Sequence, residues 1–288
     1  MKKLFYAFSL AIGLVVAGSL NSVAQSGKPL FPEMPGLVSY TYRHSFAKDV
    51  SATLDTIQRL GFRDMEFSNL FGQTPEKLRQ LLDQHNIKCS SYGVSYDNLM
   101  RAPLEIARQA KVLGASYVRI AGVPHEKGNF TLDDANRTIQ DFNKIGKTLK
   151  EQGLTFVYHN HGFEFRPYKN GTFFDYIVQN TDPATVSYEL DILWAVHPGD
   201  DPVRLLNKYG NRFKLMHLKD LKKGVQGDYS GGTPVENDVA LGTGQINLPA
   251  VLKAAKKAGV KHYYIEDESP NIQTQVPQSI AYLKSLKQ

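Results

Sequence analysis

From Gly36 onward, short apolar runs alternate with longer stretches in which apolar residues return every three or four positions. A short run bounded by turn residues reads as a strand covered on both faces, and the longer period as one face of a helix. The pattern predicts eight strands, at Leu37 to Tyr40, Arg63 to Glu66, Lys88 to Tyr92, Tyr117 to Ile120, Thr155 to His159, Val186 to Asp191, Phe213 to Leu218 and Tyr263 to Glu266. Between Thr131 and Gly153 the apolar set Ala135, Ile139, Phe142, Ile145 and Leu149 marks a helix face. Thr74-Pro75 and Asp201-Pro202 place a capping oxygen before a proline at the first helical position. Gly61, Gly114, Gly153, Gly210 and Gly259 each stand between a helical run and the next strand, where a left-handed residue ends a helix.

Eight strand-helix units in ~250 residues match the size of one (β/α)8 barrel, a TIM barrel of the α/β class. An open doubly wound sheet would carry a glycine-rich phosphate loop after its first strand, and the chain reads YTYRHSF there. The expected organisation is a signal peptide over residues 1–24, a lead-in over 25–35 and a single barrel domain over 36–288. Residues 219–246 form the longest irregular stretch, after the seventh strand, which in a barrel lies over the active-site face.

The first segment carries Lys2 and Lys3, a short apolar run and Ser22-Val23-Ala24, the order of a secretory signal cleaved after Ala24. The expectation is a periplasmic or secreted protein with no stable membrane insertion after cleavage; the alternative is an uncleaved N-terminal anchor. Cleavage removes two lysines and no acid, so a formal charge of +6 falls to +4. The basic residues gather only in pairs such as Lys222-Lys223 and Lys256-Lys257, which argues against nucleic acid as a partner. Nothing in the pattern fixes an oligomeric state, and an oligomer stays open. The single cysteine, Cys89, reads as an inert strand residue and leaves a metal to be held by His and carboxylate groups.

Reacting groups of a barrel come from the C-terminal ends of its strands. Strands five to eight end in FVYHNHGFEF, SYELD, FKLMHLKD and HYYIEDE. One lumen-facing ligand from each gives His159, Asp191, His217 and Glu266. Any one of these at a strand end reads as a hydrogen-bonded or capping residue. Four in succession are costly unless one cation satisfies them all. Two imidazoles and two carboxylates suit one divalent ion, Mn²⁺, Co²⁺, Zn²⁺ or Fe²⁺ rather than Mg²⁺.

This ordered set, with HLKD on strand seven and LGTGQINLPAVLKAAKKAGVKHYYIEDE running into strand eight, resembles the xylose isomerase-like TIM barrel superfamily, the sugar phosphate isomerases/epimerases, over residues 36 to 286. The resemblance implies a metal held by Glu, Asp, His and Glu from these strands, which carries over onto Asp191, His217 and Glu266. His159 stands where Glu is common, with Glu164 as the competing ligand. The His-x-His form is similar to the branch that includes inosose dehydratases and 3-keto-glycoside lyases. The AP endonuclease branch, a three-metal phosphodiesterase, needs a further histidine soon after the strand-six Asp, where this chain reads DILWAVHPG.

A divalent ion beside a carbonyl and a neighbouring hydroxyl favours loss of the α proton. Three groups are candidates for the base: Glu266, His161 and Lys219. Lys219 alternatively pins a substrate oxygen as a cation, and His161 alternatively orients His159 by a hydrogen bond. Tyr40, Glu66, Tyr92, Glu164, Trp194 and His197 are candidates for substrate binding, each with packing as the plainer alternative, and Arg119 stands between a buried ion pair and a ligand contact. The expected activity is isomerisation or epimerisation of a non-phosphorylated carbohydrate. The close alternative is a lyase that expels the aglycone of a 3-keto-glycoside, and a third reading is a periplasmic sugar-binding barrel without turnover.

Overall fold

The computed structural model describes Met1, residues 27–31 and residues 33–287, so the segment read as a signal peptide lies outside the described residues. The eight barrel strands are β1 (Gly36–Val38), β2 (Asp64–Phe67), β3 (Lys88–Gly93), β4 (Tyr117–Ile120), β5 (Thr155–His159), β6 (Val186–Asp191), β7 (Phe213–Leu218) and β8 (His262–Ile265). They pair in parallel, each with its sequence neighbours, and β1 closes the barrel against β8. Four observed strands coincide with the predicted ones, and the others differ by one or two residues at an end. The largest difference is at β1, which leaves the sheet after Val38 into a 3-10 turn over Ser39–Tyr42, where Ser39 Oγ lies 3.0 Å from Ser68 Oγ.

The predicted caps are in place. Thr131 opens the helix Leu132–Glu151 with a capping box to Asp134, and Thr74 and Asp201 accept backbone N–H groups ahead of Pro75 and Pro202. All five helix-ending glycines have positive φ. A hairpin of Pro167–Tyr168 with Gly171–Thr172, after β5, was not foreseen; two residues per strand are too few to show alternation.

Residues on the outer face of the strands pack on the helices, as Phe156 and Tyr158 do on Phe142, with ring centroids 5.1 and 4.8 Å apart. Inside the barrel, Val38, Val157, Leu215 and Tyr264 form a separate buried apolar cluster. Gly36 makes room for it, because a Cβ there would stand 2.6 Å from the Tyr264 ring. Two residues further along the same faces come His159, His217 and Glu266. The apolar plug therefore sits directly behind the polar groups and keeps water from reaching them from behind. The lead-in is tied to the chain's other end: Leu30 N–H donates to Leu286 O at 2.9 Å, and Phe31 meets Tyr263 edge-on at 5.2 Å.

The stretch 219–246 folds over the C-terminal mouth as expected, and Asp220 organises it. Its carboxylate accepts backbone N–H groups of Leu221, Gly242, Gly244 and Ile246 at 2.9–3.1 Å. Gly244 is required by that approach, since a Cβ would lie 2.2 Å from Asp220 Oδ1. Asp220→Ala leaves these donors unpaired and is expected to cost ~3 kcal/mol in urea unfolding and to make the 219–246 stretch the first site of limited proteolysis, with Asp220→Asn losing less.

Candidate functional site

Alternation along a strand decides which side chains enter the lumen. On β6 it turns Ser187, Glu189 and Asp191 inward, and on β7 Leu215 and His217, with Lys219 just beyond the strand end. The inward groups form two layers that share His217. In the upper layer, Asp191 Oδ2 lies 3.8 Å from both His159 Nε2 and His217 Nδ1, and Glu266 Oε2 lies 2.8 Å from His217 Nδ1. In the lower layer, His217 Nε2 is 3.0 Å from Glu66 Oε1 and 3.2 Å from Glu189 Oε2.

Asp191 Oδ2 is the observation that speaks for a cation. It is fully buried and makes no hydrogen bond, while the donor atoms of His159, Asp191 and His217 all lie within 4.8 Å of one another. A buried carboxylate oxygen without a partner is costly, and one divalent ion between these three groups removes that cost. The charge environment divides the two histidines. Burial alone would lower the His217 pKa, yet Glu189, Glu266 and Glu66 outweigh it and hold the pKa well above the ordinary value. His159 is driven the other way, by burial and the neighbouring His217, and stays in the neutral form that ligates an ion, whereas His217 would release a proton on joining it. Burial pushes Asp191 up to about 6, with Lys219 opposing and Glu266 adding.

The other expected residues sort by what they touch. Lys219 is enclosed by carboxylates, 2.6 Å from Glu268, 3.4 Å from Glu266, 3.6 Å from Asp238 and 4.0 Å from Asp191. Burial opposes its charge, but these four neighbours raise its pKa well above the ordinary value, so it stays a cation and is not a base. His161 faces a cavity of about 450 Å³ together with Tyr40, Trp194, His159, His217 and Glu266, and its buried Nδ1 has no hydrogen-bond partner. Burial and the Lys219 charge lower its pKa to about 3. Gly231, Gly232 and Thr233 of the 219–246 stretch close one side of this cavity.

Three expectations need correction. Glu164 does not join the ligands: a 3-10 turn over Phe163–Phe165 swings it away, and its carboxylate accepts the Tyr158 hydroxyl and the His161 backbone N–H. Glu66 is too deep to bind substrate, fully buried and held by Ser91, Arg119 and His217. Tyr92 keeps a place beside the site, since it lines the cleft next to this cavity with its hydroxyl donating to Gln109 at 3.0 Å. His197 stands outside the cavity wall, where its Nδ1 accepts the Asp228 N–H at 3.4 Å and supports the 219–246 stretch. His161 also does not orient His159; Glu189 does, 3.2 Å from His159 Nδ1. Glu189 was overlooked, although its place two residues before Asp191 gives it the same face. Burial and the Glu66 charge raise it to about 7, whereas Glu66, despite burial, is lowered to about 2 by Arg119 and His217.

With this geometry in view, the chain can be set beside known proteins. The profile of the Xylose isomerase-like TIM barrel family matches residues 54–286. The chain belongs to that family. Among curated members, an inosose dehydratase from Lacticaseibacillus casei is 25% identical over 189 residues, covering 59% of this chain and 63% of that protein. Another from Geobacillus kaustophilus is 27% identical over 193 residues, covering 60% and 62%. The chain thus spans less than two thirds of the length of these relatives. Among solved structures, a sugar phosphate isomerase/epimerase from Parabacteroides distasonis superposes with a TM-score of 0.71 at 24% identity, over 92% of this chain and 99% of that one. IolI protein with a bound zinc atom superposes with a TM-score of 0.66 at 15% identity, over 87% and 95%. Both likenesses establish the fold.

Glu164 supplies a test of the ligand set. Its folded pKa is raised from 4.5 to about 7 by burial, with Tyr158 opposing. Between those values the folded protein holds a proton that the unfolded chain releases, so stability is present at low pH and is lost as pH rises through 7. Glu164→Gln is expected to keep full metal content and to flatten that slope, read from urea midpoints at pH 5 and 8. Loss of bound metal in Glu164→Gln would return Glu164 to the ligand set.

Proposed function

We propose that the chain is a divalent-metal-dependent carbohydrate lyase, removing the proton α to the carbonyl of a non-phosphorylated keto sugar and expelling the β-oxygen substituent. The reading rests on the unpaired Asp191 oxygen between His159 and His217, beside a cavity lined by His159, His161, His217 and Glu266. His159, Asp191, His217 and Glu266 would hold the ion, which when bound supplies Lewis acidity to adjacent carbonyl and hydroxyl oxygens. The curated relatives named inosose dehydratases and the zinc in IolI protein support metal-assisted elimination.

His161 is the group placed to move the proton. Its ring lines the cavity and its buried Nδ1 has no hydrogen-bond partner, so the imidazole is held by no neighbouring acid and can take the α proton and return it to the departing oxygen. The C–H and C–O bonds break, a C=C bond forms, and the proton ends on the released alcohol or water. Lys219, buried behind Glu266 and Glu268, holds these two cavity-lining carboxylates in place. Trp194 and Tyr40 offer ring faces for the sugar.

A cleft of about 520 Å³ adjoins the cavity and shares Ser68, Asn69, Val94 and Ser95 with it. Asn98, Arg101, Glu105 and Gln109 line it, a polar and charge-balanced set with room for a leaving group larger than water. This favours a glycoside over a bare ring. The same proton abstraction followed by reprotonation is isomerisation or epimerisation, and the likeness to the Parabacteroides distasonis protein keeps that as the second reading. Arg119, at the floor of the cavity, and Lys219, buried behind its wall, are both paired with carboxylates, so neither is free for a phosphate. Export remains our proposal from the first 24 residues, with Gln25 as the expected first residue of the mature protein.

Incubation with Mn²⁺ and a 3-keto-glucoside in D₂O is expected to release the aglycone; deuterium uptake without release would replace the lyase by the epimerase. His217→Ala is expected to lose both bound metal and turnover. His161→Gln should keep the metal and lower kcat by ~10²–10⁴. Unchanged turnover in His161→Gln would remove the assignment of the base.

A further inference from the structure

The lower layer is itself a complete set of metal donors. Glu66, Glu189 and His217 are all buried, and one donor atom of each lies within 4.8 Å of the others. Glu189 Oε1, also buried, makes no hydrogen bond. The position is not open to an ion, because Arg119 already fills it: its Nε lies 2.7 Å from Glu66 Oε1 and 3.5 Å from Glu189 Oε2. Arg119 reaches this depth from β4 because the neighbouring strand offers Gly93 opposite; a Cβ there would stand 2.7 Å from its guanidinium. His217 presents Nδ1 to the upper layer and Nε2 to the lower, so the two layers share one imidazole.

We propose that Arg119 is a built-in cation occupying a second, deeper metal-binding cluster, and that it holds the barrel to a single metal ion. Two buried carboxylates side by side require positive charge. A guanidinium supplies it permanently and without exchange, whereas an ion at the same place would compete for His217 and draw Glu189 away from His159. The deeper cluster, with one imidazole and two carboxylates, would take a first-row divalent ion once the guanidinium is gone. Arg119 thereby determines how many metals the site holds. The count of one for the native chain rests on the metal reading given above; the gain on removing Arg119 does not.

The test counts metal. Metal-free wild type, Arg119→Lys, Arg119→Met and Arg119→Met/Glu66→Gln are each loaded with Mn²⁺, passed through gel filtration and analysed for bound Mn per chain, with circular dichroism to check folding. Arg119→Met is expected to bind one ion more than wild type, with an exchange-coupled EPR signal from two ions that share His217. Arg119→Lys should match wild type, and Glu66→Gln should abolish the gain. If Arg119→Met does not fold, Arg119→Gln takes its place with the same expected gain. A folded variant that gains no ion overturns the proposal, as does a wild type that already binds two. A wild type that binds none removes the metal reading of the upper layer, while a gain in the variant would still support the role of Arg119.

Discussion

A barrel lumen is a poor place for charge, and the organisation of this protein follows from placing charge there. Glu66, Glu189, Asp191 and Glu266 lie inside a parallel sheet with little access to water, behind which Val38, Val157, Leu215 and Tyr264 close the lumen. Each carboxylate needs a positive partner or a proton. Arg119 serves Glu66 and Glu189, Lys219 serves Glu266, and His217 stands between the layers in contact with both. Two acceptors are left over, Glu189 Oε1 and Asp191 Oδ2, and the second lies where both histidines converge.

This balance also separates the roles of similar residues. Lys219, His161 and Glu266 are all plausible proton carriers when considered singly. Four carboxylates around Lys219 fix its charge; Glu266 is engaged by His217 and Lys219; His161 lines the cavity and keeps one ring nitrogen without a partner. The same reasoning explains the 219–246 stretch. Asp220 is not part of the cavity, yet its four backbone acceptor contacts set the path that brings Gly231, Gly232 and Thr233 over it.

The barrel was legible in the sequence because its determinants are local. The apolar runs had the right length and number, and caps such as Thr131 and glycines such as Gly114 marked where helices began and ended. The inward positions near the strand ends were legible for the same reason, since a period of two needs only the strand's phase. That is how His159, Asp191, His217 and Glu266 could be chosen, and the same rule reaches Glu189, two residues before Asp191 on the same face of SYELD.

What the sequence determined by itself, then, was the set of elements and the face each side chain occupies, because backbone periodicity and capping act over a few residues. Which inward groups meet was decided only by tertiary structure. Glu66 and His217, 151 positions apart, touch because closure of the sheet and its register bring β2 and β7 together across the lumen. Glu164 was lost to the site through a 3-10 turn and His197 through its contact with the Asp228 backbone, while Tyr92 lines the neighbouring cleft. Depth in the lumen, which separates the Glu66 layer from the Asp191 layer, is a property of the closed barrel and has no counterpart in any single strand.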